Sequence, residues 1–358
     1  VYRSAFENID LSFLKRVKFY SGSLETLFDF LMNTIDEEKS SKAEILKLNS
    51  EVKLYQEVFN TIADIINSVL GKKIQSFITL KAFGYRWMSN VIRNIKGLPF
   101  VYTPSKSEDF PVFIIASGPG LEDSIPYIKL MKKKGYLISL SHSLNTLIKH
   151  GIKPHAVIAI DAGFSVCKHF FNLEEKAYQD VLLITTLSVY PRVIKYWKGK
   201  IAIVNIDMPL EKQSFPDAMF LPVAGTVAST AFLLGLKISS NSIYFCGLDL
   251  AFIYNRYHHK HSLAEETFIY RSGKLKTAET FLYNQINSFQ TTIIPSRDGK
   301  TIKTNRAMAS YREWLDNAFK KRDVFIFGKH GAFFENAIIA DYNVLNNLPD
   351  MDCNFSIN

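Results

Sequence analysis

The densest group of titratable side chains in the sequence is the run Tyr257-His258-His259-Lys260-His261. The ordinary pKa of an imidazole lies near neutrality, so such a run is a candidate for proton transfer. Three histidines in four positions also suggest a metal, but the spacing is not that of a zinc site and the run contains no cysteine. The run therefore predicts acid–base chemistry without a metal. The alternative is a solvated, basic loop.

Two carboxylates, Asp161 and Asp249, each stand at the end of an apolar run that predicts a buried strand. A carboxylate at that place contributes nothing to packing. It is expected to hold a ribose hydroxyl, a metal or a reacting hydroxyl, and the alternative is a helix cap. We predict a functional role for both, with Asp249 either orienting an imidazole or holding a donor substrate.

Two glycine turns suggest phosphate binding. Segment 117–120 (Ser-Gly-Pro-Gly) and segment 225–226 (Gly-Thr) each precede a predicted helix. Glycine lets a ligand approach the backbone, and the amides of a helix N-terminus attract anions. The alternatives are a plain turn in the first case and an N-cap in the second. The residues predicted to contact a nucleotide are Ser117, Gly118, Gly120, Asp161, Gly225 and Thr226.

Two further side chains belong to the same predicted edge. Ser229 lies in the first turn of the helix after Thr226, where it adds to the second candidate anion site. His142 follows the predicted second strand and is a second imidazole there, although a helix cap explains its neighbour Ser143 equally well.

The elements that must position these side chains alternate between strand and helix. The sequence predicts strands over 112–116, 136–140 and 156–160, with helices over 121–134 and 143–150 between them. Such alternation within fifty residues predicts a parallel sheet with right-handed crossovers. In open parallel sheets ligands bind beyond the carboxyl ends of the strands, which is where the candidate residues fall.

The rest of the chain predicts three regions. Residues 1–98 form an α-helical N-terminal region in which one helix ends at Gly71-Lys72-Lys73 and another follows. Residues 110–262 form a doubly wound, mostly parallel, Rossmann-like α/β domain. Residues 263–358 form an α+β extension that completes or covers the site, with hairpins expected at Gly273–Thr277 and Gly299–Thr304 and a last strand at Val324–Phe327.

Composition narrows the class of protein. Apolar residues make up 47% and charged residues 22% of the 358 residues, as in ordinary globular proteins. The three cysteines are widely spaced, which argues against disulfides. The net charge of +9 is scattered and lacks interleaved aromatics, so phosphate-bearing ligands are favoured over nucleic acid. No apolar run is long enough for a membrane span and no signal peptide is evident, so we expect a cytoplasmic protein.

Three ordered blocks resemble a known family. They are Ala116-Ser117-Gly118-Pro119-Gly120-Leu121, then LNTLIKHGIKPHAVIAID ending at Asp161, then GTVASTAFLLGLKISSNSIYFCGLDLAF from Gly225. They resemble the domain shared by archaeal 6-hydroxymethylpterin diphosphokinases (MptE-like) and bacterial motility-associated-factor (Maf) flagellin glycosyltransferases. The first block lacks the family's first Gly and its Ser, and His155 stands where an acid is usual.

The resemblance implies two chemistries. One is transfer of a nonulosonic acid from a CMP-sugar to a flagellin Ser or Thr, with no cofactor. The other is diphosphorylation of a pterin by Mg-ATP. A nucleotide-binding protein without catalysis is a third alternative, because Ala116, Gly120 and Leu248 depart from the family's pattern. The family has a histidine at about the distance of His258 from Asp249, which makes these two the expected catalytic residues. We favour glycosyl transfer, because an extra helical region provides surface for docking an acceptor protein.

Overall fold

The computed structural model describes residues 18, 20–45, 55–98, 109–171, 173–206, 208–222 and 225–351. The chain divides into two compact units, Val1–Tyr85 and Arg86–Asn358. The predicted boundaries of the three regions stay predictions, and residues 99–108 of the predicted linker lie outside the described residues.

The first unit is helical in its described residues. Helix α1 spans Leu24–Thr34, a 3₁₀ turn spans Ser40–Lys42, and helix α2, Gln56–Ile95, begins in this unit. The prediction that a helix ends at Gly71 is wrong, because α2 continues through it. One glycine costs a helix only about 1 kcal/mol relative to alanine, which the long flanking helical segments offset. Residues 46–54 of the predicted N-terminal helical region lie outside the described residues.

The second unit is built on a nine-stranded sheet in which every pairing is parallel. Its order is β11-β10-β7-β1-β2-β3-β4-β5-β6, and β8 and β9 form a separate antiparallel hairpin. The predicted α/β class with a doubly wound parallel sheet is confirmed. The strands are β1 Val112–Ile115, β2 Tyr136–Leu140, β3 Ala156–Ala159, β4 Leu182–Thr185, β5 Ile201–Asn205, β6 Met219–Phe220, β7 Ile243–Cys246, β8 Thr291–Pro295, β9 Thr301–Asn305, β10 Val324–Phe327 and β11 Ile338–Ala340.

Helices cover both faces of this sheet. They are α3 Leu121–Lys134, α4 Ser141–Lys149, α5 Ser165–Lys168, α6 Glu175–Tyr178, α7 Pro191–Tyr196, α8 Pro209–Ser214, α9 Val227–Ile238, α10 Leu263–Arg271, α11 Ala278–Asn287 and α12 Arg306–Phe319, followed by a 3₁₀ turn, Tyr342–Asn347. Helices α9 and α12 pack on one face. Helices α3 and α4, with Val91 from the end of α2, pack on the other. The central strands are therefore apolar on both sides, which is why they appear in the sequence as unbroken apolar runs.

The C-terminal region differs from its prediction at one hairpin. The hairpin around Gly299 is present as β8–β9, and Gly299 has the positive φ of +78° that its turn requires. The expected hairpin at Gly273–Thr277 is instead a tight turn between α10 and α11, closed by a single bridge between Gly273 and Lys276. Strands β10 and β11 extend the main sheet on its β7 side.

Candidate functional site

The site lies where the strand order reverses, between β1 and β7. From β1 the chain builds the sheet outward to β6, and α9 then returns it to the other side of β1. Ile115 pairs with Cys246 at the carboxyl ends of these two strands. Beyond them the Gly118 N–H donates to the Gly247 carbonyl at 2.9 Å. The two loops that carry the predicted glycine turn and Asp249 are therefore held against each other.

A cavity of about 120 Å³ opens beside these loops. Its walls come from the ends of β1, β2 and β7, from the start of α9, from α12 and from the histidine run. Of the predicted site residues, Ser117, Gly118, Thr226, Asp249 and His258 line it, whereas Gly120, Asp161 and Gly225 do not. Two tyrosines, Tyr257 and Tyr311, complete the polar lining.

Asp249 is buried, with 2% of its surface exposed, and its carboxylate is fully engaged. Oδ1 accepts from Arg297 Nη2 at 2.6 Å, and Oδ2 accepts from the Gly120 N–H at 2.6 Å. Burial raises the pKa of the Asp249 carboxyl, while Arg297 and the Gly120 N–H oppose that shift. We regard the pair as ionised, because the guanidinium is always charged and lies within hydrogen-bond distance. Among the described residues Asp249 makes no hydrogen bond to an imidazole.

Gly118 and Gly120 pack against this carboxylate. A Cβ at Gly120 would lie 2.8 Å from Asp249 Oδ1, and one at Gly118 would lie 2.5 Å from the Gly247 carbonyl oxygen as well as meeting Asp249. The Gly118 and Gly120 N–H groups are already hydrogen-bonded within the protein. The turn therefore needs glycine to receive Asp249, and the predicted ligand contact at these two glycines stays a prediction.

Asp161 occupies the same edge of the sheet, but at the end of β3, which β2 separates from β1. Its side chain is accessible to solvent, but the surrounding protein shields the carboxyl in part. This shielding raises the pKa of the Asp161 carboxyl, and the nearby Arg86 lowers it by a smaller amount. Its predicted contact with a nucleotide also stays a prediction, since it lies outside the cavity.

Four imidazoles meet beside the cavity, and we call His142, His169, His258 and His259 the imidazole cluster. The His142 ring stacks on His169 with centroids 4.6 Å apart and meets His258 edge-on at 4.1 Å. His259 is fully buried and hydrogen-bonds Thr146 Oγ1 through Nε2 at 2.8 Å. The alternative of a solvated, basic loop is therefore wrong for His258 and His259, because neutral imidazoles pack and hydrogen-bond like other aromatic side chains.

The carbonyl of Ser117 fixes the tautomers of two of these rings. It faces Nδ1 of His258 at 3.3 Å and Nδ1 of His259 at 3.1 Å. A carbonyl oxygen can only accept, so both rings carry their proton on Nδ1. Nε2 of His259 then accepts from Thr146. Nε2 of His258 has no hydrogen-bond partner among the described residues, so it is a free basic nitrogen on a side chain that lines the cavity.

Burial keeps the whole cluster neutral. It lowers the pKa of His258 to about 3, with a further contribution from His259. Burial also lowers the pKa of His169 to about 4, and that of His142 falls well below its ordinary value. Each neighbouring imidazole opposes protonation of the next, because two imidazolium ions would repel at this distance.

The second glycine turn stands opposite the histidines. Gly225 has a φ of +80°, and a Cβ there would meet the Tyr311 ring at 3.1 Å. Thr226 is the N-cap residue of α9, but its hydroxyl makes no capping hydrogen bond. Among the described residues the buried Ser229 hydroxyl has no hydrogen-bond partner. Neither hydroxyl near the start of α9 therefore caps or pairs within the part of the chain that the structure describes.

Three residues of this arrangement were not predicted from the sequence. Arg297 lies 48 positions after Asp249, in a turn that carries no local sign of an ion pair. Neither Tyr311 nor His169 was among the residues predicted to belong to the site. Of the described residues, no group of three or more His, Cys, Asp and Glu side chains is arranged to hold a metal ion. Nor does any described helix have the length and apolar character needed to cross a membrane.

A parallel α/β domain with its cavity at the reversal of strand order has the architecture of nucleotide-binding folds. Residues 85–255 match the model of the 6-hydroxymethylpterin diphosphokinase MptE-like family. The resemblance predicted from the sequence is thereby confirmed, because residues 85–255 are similar to MptE-like proteins. A search of curated proteins found no match.

One similar solved structure is that of the MAf glycosyltransferase from Magnetospirillum magneticum AMB-1. It superposes with a TM-score of 0.55 at 16% sequence identity, over 77% of this chain and 42% of that one. At this identity the likeness establishes the fold. The chain spans less than half the length of that neighbour.

Proposed function

We propose that the chain is a nucleotide-sugar-dependent glycosyltransferase. It would move a nonulosonic acid from its CMP derivative to a Ser or Thr hydroxyl of an acceptor protein such as flagellin, in the cytoplasm. The observation that carries the proposal is His258, whose neutral ring keeps Nε2 free beside the cavity at the β1–β7 reversal. The family match and the fold shared with a Maf glycosyltransferase support it.

In this reaction His258 acts as the general base. The acceptor hydroxyl oxygen attacks the anomeric carbon of the donor, and its proton passes to Nε2 of His258. The new carbon–oxygen bond replaces the bond to the donor phosphate, and CMP leaves with that electron pair. A pKa of about 3 makes the free imidazole a weak base. The phosphate of a bound donor stabilises imidazolium and so raises this pKa towards the working range.

The leaving phosphate would be bound by hydroxyl groups. Thr226, Tyr257 and Tyr311 all line the cavity, and burial raises the pKa of Tyr257, which keeps its phenol a donor. Donors aimed at developing phosphate charge stabilise the transition state. A volume of about 120 Å³ is smaller than the roughly 300 Å³ at which ligand pockets begin. It suits the phosphate and the reacting carbon, with the nucleoside outside it.

The matched family model favours a second candidate, transfer of diphosphate from Mg-ATP to a pterin hydroxymethyl group. Magnesium prefers carboxylate and water oxygens. The carboxylate at the cavity, Asp249, is already neutralised by Arg297, and Asp161 lies outside the cavity. The donor set at the cavity thus fits a metal-free reaction better. A nucleotide-binding protein without catalysis remains the third candidate.

Ligand-induced stabilisation separates these candidates. CMP without divalent metal is expected to raise the unfolding temperature, because free ligand at a hundredfold excess over its dissociation constant stabilises by about 2.7 kcal/mol. ATP is tested in parallel with and without magnesium. A response to ATP only with magnesium, and none to CMP, would favour the diphosphokinase.

Replacement of His258 tests the catalytic role. Turnover of CMP-sugar by His258→Ala is expected to fall by roughly 10²–10⁴-fold, the usual contribution of a general base, with CMP affinity little changed. His261→Ala is the matched control, since His261 is exposed on the same run. If His258→Ala stays within a few-fold of the parent while His142→Ala fails, the base is His142.

A further inference from the structure

The turn between α10 and α11 projects an apolar residue and three cations into solvent. Helices α10 and α11 together with this turn form a helical hairpin, and we call residues 270–277 the hairpin tip. A backbone bridge between Gly273 and Lys276 closes the turn and puts Lys274 and Leu275 at its apex. Leu275 is fully exposed, at 102%, and Tyr270 is 91% exposed. Single exposed leucines are ordinary, so the argument depends on what surrounds this one.

The surroundings are basic. Arg271, Lys274 and Lys276 are all exposed, and no acidic residue occurs between Glu266 and Glu279. The Lys276 ammonium lies 4.5 Å from the centroid of the Phe281 ring, in the first part of α11. An apolar apex within a ring of cations is complementary to a surface that is negative outside and apolar beneath.

The tip is also held in a defined shape. Phe268 and Phe281 stack with centroids 5.6 Å apart and their planes 4° apart, which ties α10 to α11 below the turn. The Ser272 hydroxyl donates to the Ile269 carbonyl at 2.6 Å, and Thr277 caps the start of α11. A preorganised apex loses little conformational entropy when it binds.

We propose that the hairpin tip docks the protein on an anionic lipid surface, with Leu275 and Tyr270 entering the interface and the three cations contacting headgroups. Interfacial insertion needs no complementary pocket, since lipid chains close around the inserted side chain. A protein partner would have to cover about 800 Å² on each side for a stable complex, which a convex tip of eight residues does not offer. The proposal does not depend on the catalytic function.

Vesicle co-sedimentation tests it. The whole chain is expected to bind mixed phosphatidylcholine–phosphatidylglycerol vesicles and not pure phosphatidylcholine, with binding weakened by salt because headgroup attraction is screened. Leu275→Ser should weaken partitioning by about tenfold or more. Lys274→Ala with Lys276→Ala should weaken it by roughly 30-fold, since each basic residue near the surface contributes about fivefold.

A second basic pair supplies the control. Lys320 and Lys321, exposed at the end of α12, carry the same charge without an apolar apex. Their double alanine variant should stay within a few-fold of the parent. Equal losses in the two double variants, or full binding by Leu275→Ser, would reduce the effect to net charge and overturn the proposal. Absence of vesicle binding would also overturn the proposal. If Leu275→Ser in addition lost turnover on a protein acceptor, the tip would be a contact for that protein. Unchanged unfolding temperatures verify that the variants fold.

Discussion

Breaking the ion pair between Asp249 and Arg297 is expected to destabilise the second unit strongly. Both side chains are 1% exposed, so neither can regain water without unfolding. In Asp249→Asn the guanidinium of Arg297 loses its counter-charge. The NH2 group of the new amide would then face another donor, either Arg297 or the Gly120 N–H. In Arg297→Met the carboxylate is left buried beside two glycines.

The size of the effect follows from desolvation. Removing one partner of a buried ion pair typically costs 3–5 kcal/mol, because an uncompensated charge remains. A unit of this size shifts its unfolding temperature by roughly 2 °C per kcal/mol. The unfolding temperature of each single variant should therefore be about 6–10 °C lower than that of the parent. Arg297→Met should recover part of its loss at low pH, where the carboxyl is protonated and no charge is buried.

Thermal unfolding followed by near-ultraviolet circular dichroism measures the effect, and the double variant provides the sharpest test. With both charges removed no orphan charge is left, so the double variant should be less destabilised than the sum of the two singles by about 1–3 kcal/mol. Strict additivity, or single variants within 2 °C of the parent, would show that the pair is not coupled as the geometry requires.

Three further outcomes follow from the same contacts. Below about pH 6.5 the free energy of unfolding should fall, because the imidazoles of His155, His169 and His258 bind protons in the unfolded chain but not in the folded one. As pH drops towards 4, each of these histidines should lower it by up to about 1.4 kcal/mol per pH unit. A urea midpoint that does not change between pH 7 and 5 would contradict this. Gly118→Ala should lower the free energy of unfolding by about 1–3 kcal/mol, because its Cβ meets Asp249 and the Gly247 carbonyl. Gly71→Ala has open space around its Cβ and should raise it by about 1 kcal/mol, as measured by thermal unfolding. Thr146→Val should cost about 1–3 kcal/mol by leaving Nε2 of His259 unpaired, with Thr146→Ser close to the parent in the same measurement.

The sheet could be predicted from the sequence because its strands are buried on both faces. Strands β1, β2 and β3 were located to within a residue or two, and the alternation with helices fixed the parallel class. The helix break at Gly71 was predicted wrongly, because a glycine followed by two lysines resembles a helix end as much as an exposed helix surface. Residues 273–277 were predicted as a hairpin because a glycine is followed there by lysines at alternate positions, although the flanking residues prefer helix.

The site was harder, because its decisive contacts join residues far apart in the chain. Asp249 was predicted as a functional carboxylate, and that role stays a prediction, but its partner Arg297 has no signature in its own neighbourhood. The imidazole cluster likewise combines His142 from the start of α4 and His169 from the end of α5 with His258, far along the chain. Periodicity describes which face of an element is buried, but it contains no information about which loops meet across a strand edge.

The residue types that suggest ligand binding also build the strand reversal itself. Two glycines and a carboxylate at the ends of β1 and β7 are what a nucleotide site would show, with the glycines beside the phosphate and the carboxylate on the ribose. Here the glycines instead pack against the carboxylate, and the carboxylate binds an arginine. The charged side chains and backbone amides at the reversal are therefore already paired within the protein. The other polar groups that line the cavity include an imidazole nitrogen, a threonine hydroxyl and two tyrosine hydroxyls, of which that of Tyr257 is hydrogen-bonded to Asn305. A site of that kind suits a singly esterified phosphate leaving with a nucleoside better than a metal-bound triphosphate, and this chemistry, more than the glycine turns, supports glycosyl transfer.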